Sequence, residues 1–252
     1  MISCISAENV HEFGTAFHSQ FRLRHSGFVE RQQYDVSVYD GMEFDQYDTP
    51  ASRYLVFHTD DGKALGVSRL TPTVLSCMLK DLWPHLVANK SLLQSGVVWE
   101  GTRYCVDKDV EPELRQRIIH EMACAYLEFG LRLGLQKVIG LMPTYIYRSV
   151  FERPGIEMEY LGPVEAIGRH KCRAVAIPVT AQQLANVRRK TGVSNSVLRF
   201  TRNEGEQENV RAARSGGTGE LQDGGVQVRL RPGVADSASD GFPARRGGEH
   251  AH

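Results

Sequence analysis

Residues 97–141 read VVWEGTRYCVDKDVEPELRQRIIHEMACAYLEFGLRLGLQKVIGL, and this stretch decides the fold class. Val97–Val106 is dense in β-branched and aromatic residues and reads as a strand. Pro112 then opens the strongest helix in the chain, because proline is favourable in a first turn. Leu114, Ile118, Met122, Tyr126 and Phe129 fall on one stripe of that helix, and Gly134 ends it. Gln136–Leu141 follows as a buried strand.

Working outward, Val10, Phe13, Phe17 and Phe21 recur at helical spacing, so a helix is expected over 7–22. Residues 28–50 are polar, with aromatic interruptions and no sustained period, and read as a long irregular segment. Ser52–His58 and Ala64–Leu70 form a predicted hairpin around Asp60-Asp61-Gly62. Cys77–Val87, with Trp83, reads as a short helix. Beyond the central stretch, Tyr145–Phe151 is a predicted short helix, Glu157–Gly162 and Lys171–Val179 strands, and Ala181–Lys190 a last helix. This order argues for an α/β fold, a single-domain αβα sandwich with a central mixed sheet.

The chain has 252 residues, with 30 Lys+Arg balanced by 30 Asp+Glu. That balance gives no cation surplus for counterion release, so a nucleic-acid-coating role is not expected. No apolar run reaches the roughly 20 residues of a membrane span, and the start lacks a secretory-signal pattern. Five scattered cysteines contain no CxxC pair, which suggests neither a disulfide framework nor a zinc site. A reduced, cytoplasmic setting is expected. Residues 1–202 form the expected catalytic domain. Residues 203–252 hold 10 of the 24 glycines and one aromatic, Phe242; they read as a disordered tail with a short strand-like turn at Val226–Leu230.

Two polar constellations stand out. Glu43-Phe44-Asp45-Gln46-Tyr47-Asp48 puts three carboxylates within six residues, with Arg22, Arg24 and Arg69 as candidate counter-charges. Such an Asp–Arg network could hold a ligand bearing both an amine and a carboxylate; a solvated acidic loop is the competing reading. The second is Trp99-Glu100-Gly101-Thr102-Arg103-Tyr104, in a strand expected to be central. Glu100 there is either paired with an arginine or a base tuned by burial. Phe28, Tyr34, Phe44, Tyr47, Trp83, Trp99 and Tyr104 interleave with both sets and offer faces for a sulfonium or a ring; core packing would use them equally well. Cys105 lacks a histidine at a partner position, and the nine histidines show no HExxH spacing, so neither a thiolate nucleophile nor a metal site is indicated.

The element order resembles acyltransferases of the N-acetyltransferase type, although the strand-to-helix junction, Cys105 to Glu113, has no glycine for a phosphate-cradling turn. The ordered set Arg24, Phe28, Tyr34, Glu43, Asp45, Asp48 and Arg69, then Leu82-Trp83-Pro84-His85-Leu86 and Glu100 to Tyr104, resembles the acyl-homoserine-lactone synthases, the autoinducer synthases of quorum sensing. Glu152-Arg153 with Gly155 and Leu161-Gly162-Pro163 extend the likeness to about residue 180. Relative to the family pattern, Tyr34 replaces a usual tryptophan, Trp83 a phenylalanine, and Thr102-Arg103-Tyr104 a Ser-Arg-Phe.

The resemblance implies a GNAT-like fold and two substrates, S-adenosylmethionine and an acyl thioester on acyl carrier protein or coenzyme A, with no cofactor or metal. It implies acylation of the S-adenosylmethionine amine, then lactone closure with loss of methylthioadenosine. On this reading Glu100 is the leading base and Glu43 the second candidate. Arg24, Asp45, Asp48 and Arg69 order the S-adenosylmethionine pocket with support from Arg103, while Phe28, Tyr34 and Trp83 cover adenosine and sulfonium. The thioester oxyanion is expected on a backbone N–H of Thr102–Tyr104 or beyond. Met122, Leu141, Met142, Thr144 and Tyr147 are the expected acyl wall; Thr144 is either a hydrogen-bonding group for an oxidised acyl chain or a helix cap. Arg148, Arg153, Arg169, Lys171 and Arg173 could form a docking face for an acidic carrier protein; a scattered solvated surface is the competing reading. A CoA-dependent N-acyltransferase acting on another small amine, and a ligand sensor that kept the fold, are the alternatives.

Overall fold

The structure, a computed structural model, describes residues 1–201; the tail reading and the strand-like turn at Val226–Leu230 lie outside the described residues. In chain order come β1 (Ile2–Ile5), α1 (Gly14–Arg24), β2 (Val38–Tyr39), β3 (Met42–Glu43), β4 (Arg53–His58), β5 (Ala64–Pro72) and α2 (Met78–Leu82). They are followed by β6 (Val98–Val106), α3 (Pro112–Arg132), β7 (Lys137–Pro143), α4 (Thr144–Tyr147), β8 (Glu159–Ile167), β9 (His170–Pro178), α5 (Ala181–Thr191) and β10 (Leu198–Arg199). Eight strands form one mixed sheet in the order β10-β1-β4-β5-β6-β7-β9-β8. The β10–β1 and β6–β7 pairs are parallel and the others antiparallel.

Helices cover both faces. The α3 stripe, Ile118, Met122, Tyr126 and Phe129, is fully buried against Leu55, Leu70 and Val138, with α5 contributing Val187. On the opposite face Phe13, just before α1, and Ala16 and Leu23 of α1 pack against Tyr54, Val56 and Val67. Farther along that face, Leu79 and Leu86 seal Ile139, Leu161 and Ala174. The expected sandwich and its central mixed sheet are therefore present. Among the described residues no helix is long and apolar enough to cross a membrane, and all five cysteines are buried free thiols.

Local expectations needed three corrections. The first helix starts later, at Gly14 after a 3₁₀ turn at Val10–Glu12, and runs on through a π-helical segment, His25–Arg31. Phe28 is thus helical and not part of an irregular segment, and the supposed loop also contains the β2–β3 hairpin. Two strands had no sequence signal strong enough to find: β1, only four residues long, and β10, only two. Third, Pro143 takes the position before α4 and Thr144 is its first residue, so Thr144 does not cap the helix.

Candidate functional site

The site forms where β5 and β6 carry charged side chains to the α1 face of the sheet. Arg69 on β5 and Arg24 on α1 are both completely buried, as is Glu43 on β3. Arg24 Nε donates to Glu43 Oε2 at 2.6 Å, and its two Nη atoms donate to the two oxygens of Asp48 at 2.8 Å each. Arg69 forks onto Asp45 at 2.5 and 3.1 Å and reaches Asp48 at 3.0 Å. Arg103 reaches Glu43 at 2.9 Å and Asp45 at 2.7 Å. Three cations thus meet three carboxylates, and fork-to-fork pairing of this kind is the strong form of the ion pair. Arg22, the third sequence candidate, lies outside this network and pairs with exposed Asp40.

The 45–48 turn orders itself. Asp48 Oδ2 accepts the Asp45 amide at 2.8 Å and Asp45 Oδ1 the Tyr47 amide at 2.9 Å, the local carboxylate-to-backbone bonding that favours Asp in turns. Burial alone would raise the Asp48 pKa, but Arg24 and Arg69 hold its carboxyl well below the usual range. Tyr54, which the sequence did not single out, donates its hydroxyl to Asp48 at 2.8 Å; burial and the Asp48 charge keep that phenol protonated by raising its pKa. Alternation along β4 placed Tyr54 on this face, but nothing in the chain marked it as different from a core tyrosine.

Arg103 stands at φ +54°. A non-glycine residue in the left-handed region costs of order 1–3 kcal/mol and points to a function when the surroundings enforce it. Here it is the extra residue of a β-bulge: between Val67–Cys105 and Arg69–Thr102, β5 advances two residues and β6 three. The bulge puts Thr102 and Arg103 on the same face. Arg69 Nε donates to Thr102 Oγ1 at 3.0 Å, while Tyr104 turns to the other face and packs edge-on to Phe151. Phe28 lies 5.5 Å beneath the Arg103 guanidinium and stacks with Tyr34 at 6.1 Å.

Glu100 projects from β6 on the site face and is 1% exposed. Burial pushes its carboxyl up to about 7. The shift is moderated by the Leu79 amide, which donates at 2.7 Å, the Met78 amide, the Arg69 charge and the Cys77 thiol. The start of α2 therefore grips the carboxylate, a contact invisible in the sequence because 21 residues separate the partners. By contrast Glu43 already has both oxygens occupied by Arg24 and Arg103.

Strands β6 and β7 pair only at Val98–Lys137, Trp99–Val138 and Glu100–Ile139. Both continue well beyond these residues, so they part immediately after Glu100. At the fork a Cβ on Gly140 would stand 2.9 Å from the Gly101 carbonyl oxygen. Gly140→Ala should therefore displace the strands, lowering stability by about 1–3 kcal/mol in urea unfolding and depressing kcat/KM.

The structure gathers Arg24, Glu43, Asp45, Asp48, Arg69, Thr102 and Arg103 into one network, with Phe28 and Tyr34 beside it. It does not gather every aromatic. Trp99 packs on Phe129 and Tyr104 on Phe151, both on the α3 face, and Trp83 joins the cluster around Leu86. The expected acyl wall is divided: Met122 and Met142 belong to the α3-side core, Leu141 to the opposite one. Of the basic set, Arg148, Arg153, Arg169 and Lys171 are exposed. Arg173 is engaged within the fold, donating to the Gly162 carbonyl at 2.8 Å and lying over Tyr160. At the β6–α3 junction Asp107 accepts the Asp109 amide and Arg115 folds back onto the Lys108 carbonyl, so the residues that replace the glycine turn bind one another.

A family model described as autoinducer synthase matches residues 10–187. An isovaleryl-homoserine lactone synthase of Bradyrhizobium diazoefficiens is 29% identical over 199 residues, covering 78% of this chain and 88% of that protein. An acyl-homoserine-lactone synthase of Pseudomonas aeruginosa is 31% identical over 161 residues, covering 62% and 76%. Among solved structures, a CoA-dependent acyl-homoserine lactone synthase, BjaI, with SAM and isopentyl-CoA, superposes with a TM-score of 0.70 at 28% identity, covering 79% of this chain and 92% of that one.

Proposed function

Because this chain belongs to the autoinducer synthase family, we infer that it is an acyl-homoserine-lactone synthase that joins S-adenosylmethionine to an acyl thioester. The observation that carries this reading is the placement of a nearly neutral-range carboxyl, Glu100, at the fork between β6 and β7, beside the Arg24–Arg69–Arg103 network.

In the proposed reaction the S-adenosylmethionine ammonium gives a proton to Glu100, directly or through one water. The freed amine nitrogen attacks the thioester carbonyl, the new C–N bond forms, and the carbon–sulfur bond breaks to release the carrier thiol. A carboxylate oxygen of the methionine half then attacks its own γ-carbon. The C–S⁺ bond breaks toward sulfur, methylthioadenosine leaves, and the lactone closes. A base with a pKa near 7 is well matched to this proton transfer. Glu43, with both oxygens held by arginines, serves as a charge anchor and not as the base. Arg24, Asp45, Asp48, Arg69 and Arg103 shape the amino-acid end of the pocket, while Phe28 and Tyr34 offer flat faces to the sulfonium and adenosine. Orientation of the carboxylate against the γ-carbon supplies the second step through proximity. Backbone N–H groups of β6 beyond the fork are the proposed partners of the thioester oxyanion.

The thioester enters where β6 and β7 part, and its acyl chain runs toward Met122 and Met142 on the α3 face. The structure of the relative with isopentyl-CoA supports coenzyme A as a donor carrier. An acidic acyl carrier protein is the second donor class, and Arg148, Arg153, Arg169 and Lys171 provide a basic face for it. Reduced thiols and substrates of central metabolism fit a cytoplasmic location. Purified protein mixed with S-adenosylmethionine and a panel of acyl-CoA and acyl-carrier donors should release methylthioadenosine and an acyl-homoserine lactone, read by mass spectrometry. Acylation of another amine without methylthioadenosine would instead identify a plain N-acyltransferase; binding without turnover would identify a sensor.

A further inference from the structure

Behind the sheet, on the face away from the charged network, two buried hydroxyls meet the bulge that orients Arg103. Ser68 is the β5 residue opposite the bulge, 0% exposed, and Tyr126 comes from the buried stripe of α3. Their oxygens are 2.5 Å apart, and Ser68 Oγ donates to the Thr102 carbonyl at 3.1 Å. Serine has one proton. Since it goes to Thr102, Tyr126 is the donor in the shorter bond, and its burial keeps the phenol protonated by raising its pKa. The same hydroxyl lies directly beneath Gly101, where an added Cβ would meet it at 2.8 Å. The chain Tyr126–Ser68–Thr102 thus ties α3 to the strand just where β6 leaves its ladder with β7 and where Arg103 takes its positive φ.

We propose that Ser68 and Tyr126 are positioning residues for S-adenosylmethionine: without touching it, they hold the Thr102–Arg103 bulge that presents Arg103 to Glu43 and Asp45. This rests on the functional reading above. Ser68 acts directly on the bulge carbonyl, and Tyr126 acts only by donating to Ser68, so their effects are coupled and not additive. Both lie on the face opposite S-adenosylmethionine, the α3 face toward which the acyl chain runs, so a merely structural role would lower stability and weaken the acyl donor at least as much as S-adenosylmethionine.

The test compares wild type, Ser68→Ala, Tyr126→Phe and the double variant by calorimetric titration with S-adenosylmethionine alone, by KM for each substrate, and by thermal melting. Ser68→Ala should weaken S-adenosylmethionine binding about 10-fold and Tyr126→Phe about 3-fold, with the acyl-donor KM within twofold of wild type. The double variant should be no worse than Ser68→Ala. The proposal is overturned if both single variants bind S-adenosylmethionine as wild type does, if the acyl donor weakens as much as S-adenosylmethionine or more, or if the two effects simply multiply. Failure of wild type itself to bind S-adenosylmethionine would reject the functional reading instead.

Discussion

Glu100→Gln should lower kcat by about 10²–10⁴-fold, the range general-base catalysis contributes, while S-adenosylmethionine binding changes little. The carboxyl is 1% exposed and its ionised form is gripped by the Leu79 amide at 2.7 Å. Glutamine keeps the shape and an acceptor oxygen but cannot take the ammonium proton. The pH profile supplies a second signature. A base must be ionised to act, so wild-type kcat/KM should climb through pH 7, where burial places this group, and the climb should vanish in the variant. Stability should move as well. The folded-state pKa is raised, so Glu100 favours folding below its ordinary value of 4.5, and that contribution is lost as pH rises through about 7. The melting temperature of Glu100→Gln relative to wild type should therefore increase between pH 5 and pH 8. Unchanged turnover in the variant would remove Glu100 from the chemistry and reopen Glu43.

Arg24→Ala should be the most destabilising single change at the site. Arg24 is fully buried and binds both Glu43 and Asp48. Removing it strands two carboxylates with one cation fewer, and breaking a buried pair from one side costs about 3–5 kcal/mol. For a domain of this size that corresponds to a fall of about 6–20 °C in melting temperature. Arg24→Ala combined with Asp48→Ala should be less damaging than the sum of the two, because the double change also removes one stranded charge. Asp48 gives the pH dependence. Its folded pKa is depressed, so its contribution is present above the ordinary value of 3.8 and is lost as pH falls below it. Asp48→Asn should flatten that acid limb in unfolding titrations. A melting temperature within two or three degrees of wild type for Arg24→Ala would mean the network is not the anchor its geometry suggests.

The strand, helix and strand of 97–141 were legible because each is long enough for its period to be counted. Leu114, Ile118, Met122, Tyr126 and Phe129 all reach the core on one face of α3. The charged set was legible too, but as a list. Arg24, Glu43, Asp45, Asp48, Arg69 and Arg103 stood out by type and order, whereas which guanidinium takes which carboxylate did not. Arg22 looked as good a partner as Arg24 from the sequence; a helical turn carries neighbouring residues to different faces, and Arg22 emerged in solvent beside Asp40. β1 escaped notice because four residues carry too little period, and its identity as a strand comes from pairing with β4 and β10.

By itself the sequence determined the layered α/β class, the residue types of the site and the family to which their order points, since these depend on local period and chemical identity. The tertiary structure alone decided that Glu100 is held by α2 at the fork, that Glu43 is spent on two arginines, and that Arg103 turns on a bulge braced from behind by Ser68 and Tyr126. Those outcomes depend on burial and on partners distant in the chain, and the groups that close around a carboxylate move its proton affinity away from the ordinary value.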